Sequence, residues 1–113
     1  MIDLAPEQLA IVRRLLTAHV PECEARAFGS RVTGNAKPYS DLDLALLGPA
    51  RLPIGRVAAL REAFQESELA IRVDVIDWHA IAQSFRDIIA ARFETLQAAA
   101  LPEAESAKLE HLS

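Results

Sequence analysis

The chain holds a single cysteine, Cys23, so no internal disulfide can staple it and the fold must rest on its core. A packing role for that thiol is expected, since no partner residues mark it as a nucleophile. Aromatic residues make up only 5% of the sequence, which leaves no platform on which nucleic-acid bases could stack. Positive charge is also short. Twelve Lys and Arg stand against 16 Asp and Glu, for a net charge of −4. A broad electrostatic grip on DNA or RNA is therefore not expected, and a basic protein partner is permitted. No apolar run approaches the roughly 18 residues needed to cross a bilayer. The acidic start lacks the apolar segment of a secretory signal, so a cytoplasmic location is expected.

What is present is apolar. Of the 113 residues, 51% are hydrophobic, enough for one domain with one core. That domain is expected over 1–101, with a polar, flexible tail over 102–113. A first helix is predicted from the Asp3–Glu7 start, with Leu9, Val12, Leu15, Leu16 and His19 at helical spacing and Pro21 as its stop. Short strands are expected at 24–28, 41–47 and 71–76. An amphipathic helix is expected from Pro53 or Ile54 to Glu68. The stretch from Trp78 to Ala100 reads as largely helical, with Ile81, Phe85, Ile88, Ile89, Phe93 and Leu96 as its apolar stripe. The fold class is thus α/β (α+β): a small mixed sheet of three to four strands packed by helices. Loop length alone leaves the strand directions open.

The chemistry concentrates in one constellation. Gly29-Ser30 closes the first strand, ten residues follow, and then comes Asp41-Leu42-Asp43 at the start of an otherwise apolar strand. Residues i and i+2 of a strand share a face, so Asp41 and Asp43 project side by side. Like charges that close repel unless a cation or a shared proton settles them. A hard cation such as Mg²⁺ suits oxygen ligands of this kind. Asp74, alternating with Val73 and Val75, would join them if the third strand pairs beside the second. Asp77 is a rival for that role but reads better as a helix cap. Three carboxylates at one sheet end suit a two-metal phosphoryl-transfer site. Gly29-Ser30 can offer backbone N–H groups to a phosphate. Arg31 and Lys37 flank that loop, either as phosphate ligands or as solvated cations. Arg72 reads as an exposed edge cation, and the histidines have no second ligand at metal spacing.

Gly29-Ser30-Arg31-x-x-Gly34, Ser40-Asp41-Leu42-Asp43-Leu44 and Val73-Asp74-Val75-Ile76-Asp77 together resemble the DNA polymerase beta-like nucleotidyltransferase superfamily. Within it the likeness is to the minimal nucleotidyltransferases, small prokaryotic domains that often serve as antitoxins in HEPN/MNT pairs. The resemblance spans Phe28 to about Ile89 and implies the polymerase beta-like nucleotidyltransferase fold. It implies that Asp41, Asp43 and Asp74 are catalytic and bind Mg²⁺, in a two-metal site. Gly29, Ser30 and Arg31 would contact the nucleotide. It further implies transfer of AMP from ATP to a tyrosine of a HEPN-type ribonuclease toxin, silencing it. Two other functions fit the same residues: an antitoxin that neutralises by binding alone, and a nucleotidyltransferase acting on a small molecule.

Overall fold

A computed structural model describes residues 2–100, and the expected tail over 102–113 lies outside the described residues. In chain order the elements are α1 (Pro6–His19), β1 (Glu24–Phe28), α2 (Ser30–Thr33), β2 (Leu42–Leu47), α3 (Ile54–Gln65), β3 (Val73–Asp77), a 3-10 turn at Trp78–Ala80, α4 (Gln83–Ala91) and β4 (Glu94–Gln97). The four strands form one mixed sheet in the order β3-β2-β1-β4. β1 runs antiparallel to both β2 and β4. β2 and β3 are parallel, with α3 as the crossover that parallel neighbours require.

Alternation decides which way each strand faces. Ala25, Ala27, Leu42, Leu44, Leu46, Val73 and Val75 are buried on one side, where Val12 and Leu16 of α1 and Val57, Leu60 and Phe64 of α3 complete the core. Full burial of a Leu or Val side chain contributes about 1.5–3 kcal/mol, so a one-residue slip of β2 would sacrifice several such terms and drive both Leu42 and Leu44 outward. The opposite face is covered in part by α4 and the 3-10 turn. There Phe85 meets Phe28 edge to face at 5.8 Å, and the Arg26 guanidinium lies 4.2 Å from the Phe93 ring centre. No helix among the described residues is long and apolar enough to cross a membrane.

One expectation is corrected. The helix foreseen from Trp78 to Ala100 is instead a 3-10 turn, the nine-residue α4 and the strand β4. Arg92 leaves helical space at φ −158°, ψ 108°. Residues 94–97 then pair with β1, Leu96 enters the core, and the Glu94 carboxylate accepts the Ile2 N–H. Phe93 and Leu96 stand three apart, a spacing that fits a helical stripe as well as a strand. The long-range pairing with β1 prevails over local periodicity. Phe85 and Ile88 of the expected stripe remain 39% and 69% exposed.

Candidate active site

Because Leu42 and Leu44 point into the core, Asp43 between them points to the other face. The parallel register sets Asp43 directly beside Asp74, and the antiparallel register sets it beside Phe28. Asp41 lies one residue before β2 begins and is exposed, so the strand is one residue shorter at this end than its sequence pattern predicts. Burial pushes the Asp43 carboxyl above its ordinary range, and the charges of Asp74 and Asp41 push in the same direction. Among the described residues no three His, Cys, Asp or Glu side chains are already drawn together as metal ligands. What exists is a register pair, Asp43 and Asp74, with Asp41 at its mouth. The donors are all carboxylate oxygens whose mutual repulsion a hard divalent cation would relieve, so the residues fit Mg²⁺.

Gly29 backs this pair. Its φ is +81°, and a Cβ built there would overlap Asp43 Oδ2. Only glycine combines that backbone conformation with so close an approach of the carboxylate. Ser30 follows as the first residue of α2, half-buried, with its carbonyl accepting the N–H groups of Gly34 and Asn35. Arg31, expected beside the nucleotide, turns into the protein and is 5% exposed. Its Nε and one NH₂ group donate to the Ser40 carbonyl at 3.0 and 2.8 Å, and its other NH₂ group donates to the Asp3 carbonyl at 2.8 Å. A further bond reaches the Pro38 carbonyl at 3.2 Å. The guanidinium thus ties the N-terminal segment to the loop that delivers Asp41. Spacing could not reveal this role, because every acceptor is a backbone carbonyl.

The remaining candidates separate cleanly. The Asp77 carboxylate is buried and accepts the N–H groups of Leu52 at 2.7 Å and His79 at 2.9 Å, which makes it a cap at the strand end. Lys37 and Tyr39 are exposed on the loop before β2, and Arg72 is exposed one residue before β3 begins. Cys23 is fully buried, and that burial raises its thiol to about 11, which leaves it unreactive near neutral pH.

A small mixed sheet with acids paired across its parallel strands and a glycine turn behind them places the protein in the class that transfers nucleotidyl groups. The chain belongs to the nucleotidyltransferase domain family, whose model matches residues 7–99. It is 45% identical over 96 residues to the probable protein adenylyltransferase MntA of Haemophilus influenzae, covering 85% of this chain and 84% of that protein. Its fold matches a crystal structure of a toxin–antitoxin with AMP-PNP at TM-score 0.69 and 19% identity, over 92% of this chain and 88% of the other. It also matches a structure of a tri-AMPylated Shewanella oneidensis HEPN toxin in complex with MNT antitoxin, at TM-score 0.61 and 19% identity, over 91% and 76% of the two chains.

Proposed function

We propose that this protein transfers AMP from ATP to a tyrosine hydroxyl of a HEPN-type ribonuclease toxin and thereby acts as its antitoxin. The observation that carries the reading is the register pairing of Asp43 with Asp74 against Gly29, in a chain 45% identical to a probable protein adenylyltransferase. In the transfer, the acceptor oxygen attacks the α-phosphorus of ATP. The new O–P bond forms as the bond to the bridging oxygen of the β-phosphate breaks, and pyrophosphate leaves with that oxygen. Asp74 accepts the hydroxyl proton. Asp41, Asp43 and Asp74 would hold Mg²⁺, which when bound neutralises the charge of the triphosphate. Gly29 lets the Asp43 carboxylate lie close against the backbone, and Ser30 can donate its hydroxyl to a phosphate oxygen. Arg31 contributes by fixing the loop that presents Asp41.

The test replaces Asp43 by Asn and incubates the protein with ATP, Mg²⁺ and its HEPN-type partner. The reading expects label transfer to fall at least a hundredfold while the complex with the partner persists. Toxin neutralisation that survives the substitution unchanged would favour an antitoxin working by binding alone.

A further inference from the structure

β3 is a free edge of the sheet, and that edge is basic although the chain as a whole carries net −4. Arg51, Arg61 and Arg72 lie along it, and among the described residues none of the three forms an ion pair. Two cavities run along this edge and share Arg61. One, about 260 Å³, takes Arg51, Ile54 and Ile81; the other, about 700 Å³, takes Gln65, Arg72 and Asp74. The acids of this stretch do not cancel the charge. Glu62, Glu66 and Glu68 line neither cavity, the Asp77 carboxylate in the smaller one is taken up by backbone N–H groups, and Asp74 alone stands in the larger one with Arg61 and Arg72. Arg61 donates to the outer carbonyl of Val75, which blunts the edge against simple strand addition and fixes the guanidinium over it. Between these charges the lining is apolar, and Ile54 is 86% exposed.

The edge also has the right place relative to the acids. Arg72 and Asp74 flank buried Val73, so both belong to the sheet face that carries Asp43. Asp43 sits on β2, between β1 with its Gly29 turn and β3 with Asp74. With the nucleotide on the β1 side, where the proposed reaction puts it, an in-line acceptor would come from the β3 side.

We propose that the arginine-lined edge of β3 is the docking groove for the acceptor protein, and that it takes an extended segment bearing carboxylates beside the hydroxyl to be modified. Arginine forks pair with carboxylates in bidentate geometry, and the apolar strip between them accepts the intervening side chains. The inference rests on the proposed transfer reaction, but its test can fail separately.

The test uses the full chain with Arg51→Glu and Arg72→Glu combined, because neither side chain makes a hydrogen bond among the described residues. With the HEPN-type acceptor and labelled ATP, the acceptor KM is expected to rise at least tenfold, while kcat and the ATP KM stay within twofold. Arg72→Lys alone should keep most of the wild-type KM. A fluorescent tyrosine peptide flanked by glutamates should bind the wild-type protein and lose at least tenfold in affinity on the double variant; a lysine-flanked peptide should bind neither. An unchanged acceptor KM overturns the proposal. So does an ATP KM that rises with it, which would mark a phosphate site, and so does equal binding of the two peptides. If the wild-type protein transfers no label, the reaction assigned above fails, and the peptide measurement still decides the groove.

Discussion

At Gly29 the backbone sits at φ +81°, with Asp43 Oδ2 occupying the space where a side chain would begin. Gly34 has nearly the same φ, +86°, but open space around it. The two glycines therefore separate a conformational cost from a site cost. Alanine at either position carries the penalty of left-handed backbone, about 1–2 kcal/mol. Gly29→Ala must in addition push the Asp43 carboxylate away. It is expected to lower nucleotide transfer more than tenfold, whereas Gly34→Ala should lower the melting temperature by several degrees and spare kcat/KM. Arg31 makes a second prediction at this scale. Removing a buried charged donor from the carbonyls of Asp3, Pro38 and Ser40 leaves them unpaired, and bonds to charged groups contribute about 1.5–3 kcal/mol each. Arg31→Gln should destabilise the fold by about 2–3 kcal/mol in denaturant unfolding and speed amide exchange at Ser40, whose N–H bonds the Lys37 carbonyl. The facing of Asp43 was legible in the sequence, because apolar neighbours at 42 and 44 leave it no other side. The destination of Arg31 was not, because its partners are carbonyls brought together only by the folded loop.

Among the elements, β4 shows where periodicity misleads. A four-residue strand buries one side chain well, Leu96, and takes its remaining support from pairing with β1. Gln97 reinforces it by donating to the carbonyls of Val20 at 2.9 Å and Cys23 at 3.0 Å. No local pattern reports such distant partners, whereas α1, α3 and the strands β1, β2 and β3 each carry a period long enough to declare them. Leu96→Ala should destabilise the protein by about 2–4 kcal/mol, measured by denaturant unfolding. The turn after α1 is joined to α3 by Arg56, which donates to Glu22 Oε1 at 2.8 Å and to the His19 carbonyl at 2.8 Å. The Arg56 hydrogen bonds lower the Glu22 carboxyl below its ordinary 4.5. A carboxyl depressed in the folded state supports the fold above its ordinary value and loses that support as pH falls through the folded one. Melting temperature should therefore drop below pH 4.5, and Arg56→Gln should make that acid drop shallower.

For the molecule as a whole, the packed face and the acid-bearing face divide the work. One side of the sheet holds the core, fastened by α1 and α3, and that lets the other side keep Asp43 paired in register with Asp74, under the added charge of Asp41, at a cost in self-repulsion. The fold class and the acids were readable from alternation and spacing, while the parallel register that joins Asp43 to Asp74 depends on the α3 crossover and emerges only in three dimensions. The central claim is nucleotidyl transfer, and it distinguishes which phosphate of ATP moves. The decisive measurement incubates the protein, Mg²⁺ and the HEPN-type acceptor with ATP labelled at the α-phosphate in one tube and at the γ-phosphate in another. The account predicts label on the acceptor from α-labelled ATP alone, with pyrophosphate released in equal amount. Label from the γ-phosphate, or no covalent label although ATP binds, would contradict it.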